Sequence, residues 1–409
     1  PSLYHDKCYN YDMFIAILGR QPEISIAELE AVYGTQNVQK ISNQAATVNC
    51  DNFSIDNLGG TIKCGQVITK IKSQKSDRNT LLQASKIIIE KYTKKLSNSQ
   101  KKITLGISFY GNKADPRNVQ KIGIILKNNL KKSGVSLRLI PNKTAALSTA
   151  TSHNNKLGRS EAKIEIIIAK NMYGDLIIAE GRGAQNINSY TQRDRGRPKR
   201  DAFVGMLPPK LAQIMINLSG TKPGDYLWDP FCGTGTVLQE AALIGVNAYG
   251  SDLSDKMISY TTENMNWVEK TFSTKTFWQA HQADATSVKL TYEQKKRISR
   301  IVCETYLGQP FSAPPSPEKL HEVVGNCNHI ISNFLQNIRS QIHPDTTLCI
   351  AVPAWQNHEG RFTHLPLIKN LKKLGYQQII NKNLLYHRED QVVAREILVL
   401  KLADIAKTA

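Results

Sequence analysis

The sequence predicts a doubly wound α/β domain in its C-terminal half, preceded by two smaller α+β units. From residue 201 onward, apolar runs of strand length alternate with helical patterns, as in the βαβ units of a parallel sheet. Before residue 190, strands and helices follow one another without a clear repeat. Hydrophobic residues make up 41% of the 409 residues and charged residues 21%, which excludes a disordered, collagen-like or disulfide-scaffold chain.

The first α+β unit is predicted over residues 1–80. An apolar run at residues 13–18 suits a strand, and residues 25–33 form an amphipathic helical pattern that ends before Gly34. Short alternating runs near 45–50 and 66–71 predict further strands. These elements together indicate a small domain of mixed type.

The second α+β unit is predicted over residues 81–190. A helical pattern near 81–89 precedes a strand at 103–109 and a helix at 119–132 that ends at Gly134. Three more strands are predicted at 135–140, 162–169 and 175–180, the last two joined by a turn that contains Asn171 and Gly174.

Residues 191–200, TQRDRGRPKR, are polar and interrupted by Gly196 and Pro198, so we expect an exposed basic linker. A helix at 207–218, with Pro208 and Pro209 at its start and Gly220 past its end, opens the domain over 201–409. The strands predicted for this domain are 226–229, 247–251, 300–303, 346–352, 376–380 and 393–401.

The net charge of +19 comes from 53 Lys and Arg against 34 Asp and Glu. Nearly all of it lies in residues 81–200, which have 24 basic and 7 acidic side chains, a net charge of +17. A localised positive field favours a polyanion, with nucleic acid first, because neutralised phosphates release condensed counterions. A merely solvated basic surface is the alternative.

The seven cysteines include no CxxC pair and no Cys/His pair at metal spacing, so we expect reduced thiols and no metal site. No apolar run approaches 18 residues, and the opening PSLYHDKCYN lacks the pattern of a signal peptide. We therefore expect a cytoplasmic protein without a membrane partner. The oligomeric state stays open.

The segment YLWDPFCGTGT at 226–236 predicts a strand, a ligand-binding loop and a helix. Gly233 and Gly235 allow a ligand to approach the backbone at the carboxyl end of a strand. Asp252 ends the next apolar run, where a carboxylate can accept both ribose hydroxyls. Leu238 replaces the third glycine of GxGxxG, which favours a nucleoside cofactor smaller than a dinucleotide. A helix cap at Asp229 and a turn residue at Asp252 are the alternatives.

DPFCGTGT followed by GSD resembles motif I and the acidic strand end of class I S-adenosylmethionine-dependent methyltransferases, which implies a Rossmann-like domain. GMLPPKLAQIMINLSG and RDRGRPKRD are similar to the lead-in of THUMP-domain RNA methyltransferases, specifically the archaeal-type tRNA guanosine-10 N2-methyltransferase family. Residues 81–190 resemble the THUMP domain, and YHREDQVVAREILVLKL resembles the final hairpin of that family.

The resemblance implies S-adenosylmethionine as cofactor. Asp252 would hold its ribose, and Asp284 would lie by the adenine, unless Asp284 is an ordinary loop residue. The residues implied around the methionine part are Asp229, Phe231, Gly233, Thr234 and Gly235.

The resemblance also implies RNA as the partner, with tRNA as the expected class of RNA. The candidate backbone contacts in the THUMP-like segment are Lys127, Lys131, Lys132, Arg138 and Lys143. Those in the linker are Arg193, Arg195, Arg197, Lys199 and Arg200. Each of these side chains is alternatively plain solvated surface.

Amino-methylating members of the family have a DPPY-like motif after the fourth strand, whereas this chain reads ETYLG at 304–308. Glu304 would accept a hydrogen bond from the amine, and Tyr306 would stack on the base, although Phe311 is also available for stacking. Alternatively, Glu304 only caps the strand and Tyr306 packs in the core.

The sequence thus predicts an RNA methyltransferase that modifies the N2 amino group of a guanosine in tRNA. Two alternatives stay open, an RNA-binding protein that has lost catalysis and a DNA amino-methyltransferase.

Overall fold

The computed structural model describes residues 12–111, 114–201, 206–389 and 391–403. The chain forms two compact units. The first comprises Pro1–Asp56 and Gly60–Asn188, and the second comprises Asn57–Gly59 and Ser189–Ala409.

The first unit is a mixed sheet with helices. Its strands are β1 (Met13–Leu18), β2 (Val38–Lys40), β3 (Ala45–Asn49), β4 (Thr61–Ile71), β5 (Ile103–Tyr110), β6 (Leu137–Leu139), β7 (Lys163–Lys170) and β8 (Leu176–Ala184). Its helices are α1 (Pro22–Tyr33), α2 (Asp77–Leu96), α3 (Pro116–Lys132) and α4 (Thr149–Asn154).

These eight strands form one sheet in the order β2-β3-β1-β4-β8-β7-β5-β6. The long strand β4 pairs antiparallel with β1 on one side and with β8 on the other. The segments predicted as separate units over 1–80 and 81–190 therefore share a single sheet. Helices α2 and α3 bury their apolar sides in the same core as β5 and β7.

Helix α3 shows how the local sequence builds this layer. Asp115 caps the helix by accepting a hydrogen bond from the Arg117 N–H at 2.8 Å, and Pro116 occupies the first turn. Its buried positions recur at helical spacing, whereas the lysines between them remain exposed.

The second unit contains the predicted α/β domain. Its strands are β9 (Tyr226–Asp229), β10 (Asn247–Asp252), β11 (Trp278–Gln282), β12 (Ile298–Glu304), β13 (Thr347–Gln356), β14 (Phe362–Thr363), β15 (Tyr376–Gln378), β16 (Leu385–Tyr386) and β17 (Val393–Leu402). Its helices are α5 (Ile187–Arg195), α6 (Pro209–Leu218), α7 (Thr236–Leu243), α8 (Asp255–Phe272), α9 (Tyr292–Arg297), α10 (Pro317–Arg339) and α11 (Leu371–Leu374).

The sheet of the second unit has the order β11-β10-β9-β12-β13-β17-β15. Strands β9 to β13 pair in parallel, whereas β17 is antiparallel to both β13 and β15. From β9 the chain adds β10 and β11 on one side and then β12 and β13 on the other, so the strand order reverses between β9 and β12. Open α/β sheets bind ligands at the carboxyl ends of the strands that flank such a point. The predicted Rossmann-like fold class is confirmed.

Among the helices of the described residues, none has the length and apolar character that crossing a bilayer requires. Within the same ranges, His, Cys, Asp and Glu side chains do not form a group of three or more that could hold a metal ion.

Candidate active site

The loop after β9 is shaped by two glycines in the left-handed region. Gly233 has φ +50° and Gly235 has φ +80°, and the Gly235 N–H donates to the Cys232 carbonyl at 2.7 Å. A Cβ on Gly235 would press against the Thr261 side chain at 3.0 Å, whereas a Cβ on Gly233 would meet nothing within 4 Å. Gly235 is therefore required for packing and conformation, and Gly233 leaves open space at the loop surface.

Buried polar side chains hold the carbonyls of this loop. The Thr261 hydroxyl donates to the Gly233 carbonyl at 2.8 Å, and Asn264 Nδ2 donates to the Thr234 carbonyl at 2.8 Å. Gln239 Nε2 donates to the same Thr234 carbonyl at 3.1 Å. Sequence reasoning missed these three residues. The available signal is a polar side chain at a helix position that faces the core among apolar positions, on α7 for Gln239 and on α8 for Thr261 and Asn264.

Asp252, at the end of β10, is bonded directly to the loop. Its Oδ2 accepts a hydrogen bond from the Gly233 N–H at 2.9 Å, and its Oδ1 accepts one from the Ser254 N–H at 2.9 Å. Each carboxylate oxygen has a second lone pair free of these backbone bonds. Leu253 beside it is 70% exposed, so an apolar surface borders the carboxylate.

Asp229 is fully buried at the end of β9, and its Oδ1 accepts one hydrogen bond from the Phe231 N–H at 3.1 Å. Burial raises the pKa of Asp229 well above its usual value, and the negative charges of Asp252 and Glu304 raise it further. Phe231 packs its ring edge-on against Phe334 at 5.2 Å in the core, so it contributes backbone rather than an open ring face.

Asp284 follows β11 at the same edge of the sheet. The N–H of Ala283 donates to the Asp252 carbonyl at 2.9 Å, which fixes the start of this turn beside β10. The Asp284 carboxylate accepts hydrogen bonds from the Thr286 N–H and hydroxyl, both at 2.8 Å. These are the bonds of a turn-forming aspartate, and the side chain is otherwise exposed.

Glu304 ends β12, which neighbours β9 on the side opposite β10. Its Oε1 accepts a hydrogen bond from Arg395 Nε at 2.5 Å, and both side chains are mostly buried. Sequence reasoning missed Arg395. The available signal was a cation within the apolar strand VAREILVLKL.

The two aromatic candidates for stacking differ in their surroundings. Tyr306 is 41% exposed, whereas Phe311 packs against the core of the second unit. The Thr305 N–H and hydroxyl between Glu304 and Tyr306 both donate to the Ala351 carbonyl, at 2.9 and 3.0 Å. The backbone that carries Tyr306 is therefore fixed to β13, and the free ring face belongs to Tyr306.

The expectation that residues 191–200 form an exposed linker is wrong in part. Helix α5 extends through Arg195, and Arg193 and Arg197 are only 8% and 3% exposed. Arg193 donates from Nε to Glu240 on α7 at 2.6 Å, and Arg197 donates from Nη1 to the Thr236 hydroxyl at 2.7 Å. A guanidinium held in this way is not available to bind a phosphate.

The other basic candidates lie at the surface. Arg195 and Arg200 are exposed, and Lys199 is half-buried with its Nζ 3.2 Å from Glu263. In the first unit, α3, β6 and the turn after β6 present five cations that form no ion pair with any other described residue. These exposed side chains are Lys127, Lys131, Lys132, Arg138 and Lys143.

Comparison with known proteins agrees with this geometry. The model of the RMKL-like methyltransferase domain matches residues 197–353, and a model described as DNA methylase matches residues 46–264. A probable tRNA (guanine(10)-N2)-dimethyltransferase of Methanothermococcus thermolithotrophicus is 35% identical over 120 residues, which are 29% of this chain and 72% of the relative. This chain belongs to the tRNA (guanine(10)-N2)-dimethyltransferase family.

A second member of that family, from Methanothermobacter thermautotrophicus, is 32% identical to this chain over 169 residues, or 41% of this chain. The aligned part spans 45% of that relative's length. The crystal structure of TrmN from Thermus thermophilus superposes with a TM-score of 0.51 at 15% identity, covering 95% of this chain and 99% of that chain. The predicted resemblance to a methyltransferase family is confirmed, and the fold extends over nearly the whole chain.

The site at this sheet edge suits a cationic nucleoside. Three carboxylates, Asp229, Asp252 and Glu304, end three strands of one sheet edge, and Asp229 has no cation hydrogen-bonded to it among the described residues. Gly233 leaves open space at the surface of the loop, and the exposed Leu253 offers an apolar surface for a base. The residues present therefore fit S-adenosylmethionine, which has a sulfonium and an ammonium group.

Proposed function

We propose that this methyltransferase transfers a methyl group from S-adenosylmethionine to the N2 amino group of a guanosine in tRNA. The observation that supports it most is Glu304, whose carboxylate is held at the strand end across from the glycine loop. Its Oε2 has no hydrogen-bond partner among the described residues, so this oxygen can accept a hydrogen bond from a substrate amine. The names of the family's members supply the substrate class.

The cofactor would be held by the residues that surround the glycine loop. Asp252 would accept hydrogen bonds from the ribose hydroxyls with its free lone pairs, and Leu253 and Asp284 would border the adenine. Asp229 and the backbone of Gly233 would face the methionine part. When bound, S-adenosylmethionine supplies a methyl group that its sulfonium already activates.

The chain's own residues would then mainly position the nucleophile. Alignment of two reacting groups lowers the barrier by several kcal/mol, about 7–11 in the most favourable cases. Glu304 would orient the exocyclic amine and offset the positive charge that develops on it. Tyr306 would stack on the guanine ring with its exposed face.

RNA would be bound by the exposed cations rather than by the buried ones. Lys127, Lys131, Lys132, Arg138 and Lys143 form a THUMP-like basic surface on the first unit, and Arg195, Lys199 and Arg200 extend the basic character in the second. We also propose a cytoplasmic location, because the six described cysteines are free thiols, as in a reducing compartment.

The test is methyl transfer from labelled S-adenosylmethionine to unmodified tRNA, with the product nucleoside identified by mass. We expect N2-methylated guanosine from the wild-type chain and at least about a hundredfold less from Glu304→Ala. Duplex DNA serves as a second substrate, because the DNA methylase model matches part of this chain. Methylation of DNA and not of tRNA would show that DNA is the substrate. Binding of cofactor and tRNA without any methyl transfer would favour an RNA-binding protein that has lost catalysis.

A further inference from the structure

Arg395 reaches Glu304 across an intervening strand. Arg395 lies on β17 opposite Pro353 of β13, and Glu304 lies on β12 opposite Ala351 of β13. Neighbouring strands are about 4.8 Å apart, so β12 and β17 are separated by about 10 Å. The contact at 2.5 Å therefore needs two long side chains that extend toward each other over β13.

We propose that Arg395 is a positioning residue for methyl transfer, which acts by holding the Glu304 carboxylate in one orientation. This inference rests on the proposed function. Arg395 Nε donates a hydrogen bond to Glu304 Oε1, and Oε2 of Glu304 remains to accept the hydrogen bond from the substrate amine. A charge-assisted hydrogen bond of this kind is stronger than a neutral one and restricts the rotamers of both side chains.

The ion pair also reduces the electrostatic repulsion between the Glu304 carboxylate and Asp229. The negative charge of Glu304 raises the pKa of the buried Asp229 only after the larger effect of burial itself. The cation of Arg395 offsets part of the charge that these carboxylates accumulate at one sheet edge. Without it, the Glu304 carboxylate would be free to turn toward solvent, and its Oε2 would no longer be presented to the amine.

The length of the Glu304 side chain suits this contact. An aspartate at 304 would be one methylene shorter and would end about 1.5 Å farther from the Arg395 guanidinium. Glutamate and arginine are therefore both long enough to meet over β13.

The test compares the full-length wild-type chain with Glu304→Gln, Arg395→Met, Arg395→Lys and the double variant Glu304→Gln/Arg395→Met. We expect Arg395→Met to lower kcat on the order of a hundredfold, while KM for tRNA and Kd for S-adenosylhomocysteine stay within about twofold. Arg395→Lys retains a cation and should recover about tenfold of the loss. The double variant should have the kcat of Glu304→Gln alone, because Arg395 acts only through Glu304.

Glu396→Gln is the matched control. Glu396 is the next residue on β17 and its side chain is also mostly buried, with Oε2 2.6 Å from His364 Nδ1, but it does not contact Glu304. We expect its kcat to stay within about twofold of wild type. Cofactor binding by each variant shows that it has folded, and Arg395→Lys keeps the test decisive if Arg395→Met does not fold.

Two results would overturn the inference. One is an Arg395→Met variant that binds cofactor and has the kcat of wild type or, if that variant does not fold, an Arg395→Lys variant with the kcat of wild type. The other is a double variant whose loss equals the product of the two single losses, which would mean that Arg395 acts independently of Glu304. A wild-type chain that transfers no methyl group would instead refute the proposed function, and this inference with it.

Discussion

Replacing Gly233 with alanine tests whether the open space at the loop after β9 is the cofactor site. Gly233 has φ +50°, and a Cβ built there meets no other atom within 4 Å. Gly220, just past the end of α6, has φ +74° and is equally free of neighbours. Gly220→Ala is therefore a control with similar backbone strain in the same unit, at a position outside the loop.

The effect on stability should be small and similar for both variants. A non-glycine residue in the left-handed region loses about 1–2 kcal/mol. Alanine recovers about 0.4–1 kcal/mol of this, because it restricts the unfolded chain more than glycine does. Neither new methyl group meets a neighbour, so we expect each variant to lose about 1 kcal/mol of unfolding free energy.

The effect on cofactor binding should separate the two variants. The Gly233→Ala methyl group would occupy space where the cofactor approaches the backbone, and we expect Kd to rise at least about tenfold, or 1.4 kcal/mol. Gly220→Ala should bind with the wild-type Kd. Isothermal titration with S-adenosylhomocysteine measures the affinities, and urea unfolding measures the stabilities. Unchanged affinity in Gly233→Ala, or an equal loss in both, would show that the cofactor does not lie against Gly233.

Three further predictions concern buried charges. The pKa of Asp229 is raised in the folded state, so this carboxyl contributes stability that is fully present below about pH 4. That stability is lost as the pH rises through the raised pKa. In urea unfolding from pH 4 to 8, the unfolding free energy of Asp229→Asn should therefore increase relative to that of wild type as the pH rises. Arg395→Met should lower the unfolding free energy by about 3–5 kcal/mol, since it leaves Glu304 buried without its cation, and adding Glu304→Gln should recover much of that loss in urea unfolding. In the first unit, Lys63 donates to Glu165 at 2.5 Å and to the Leu147 carbonyl at 2.7 Å. Lys63→Met should destabilise this unit by a similar amount, and Lys63→Met/Glu165→Gln by less, whereas equal losses in thermal unfolding would contradict the role of the unpaired carboxylate.

Local patterns predicted six strands of the second unit, whereas β11, β14 and β16 were not among them. The central parallel strands could be predicted because they are buried on both faces. Such strands appear as continuous apolar runs, as at Ile298–Glu304 and Thr347–Gln356. The single sheet of the first unit could not be predicted in this way. Its central pairing joins Thr61–Ile71 to Leu176–Ala184, and no local periodicity reports a partner more than a hundred residues away.

The candidate site divides along the same line. Asp229, the two glycines and Asp252 could be predicted because a strand end and a tight turn are specified by adjacent residues. Arg395 is 91 residues from Glu304 in the sequence, and the pairing of β12 and β17 with β13 brings the two side chains together. In hindsight, an arginine and a glutamate side by side in an apolar strand must point to opposite faces, so at least one of them needed a buried partner.

The basic segment at 191–200 shows why composition misleads. Its composition predicts solvated charges, since five cations within ten residues rarely find buried partners. Arg193 nevertheless pairs with Glu240, which lies in the otherwise mostly apolar helix TVLQEAAL. A glutamate buried in such a helix indicates a cation elsewhere in the chain, and here the basic segment that precedes the helix supplies it.

The distribution of charge limits which part of a nucleic acid can enter the site. Asp252 and Glu304 place negative charge beside Asp229 at one sheet edge, and phosphates would be repelled from it. The exposed cations that can bind phosphates lie elsewhere, on surfaces such as α3. Under the proposed function, an uncharged base with an amine donor would be the part of the polymer that enters this edge. A base within a helix would have to be extruded, and the few kcal/mol that extrusion requires would come from phosphate contacts at the basic surfaces.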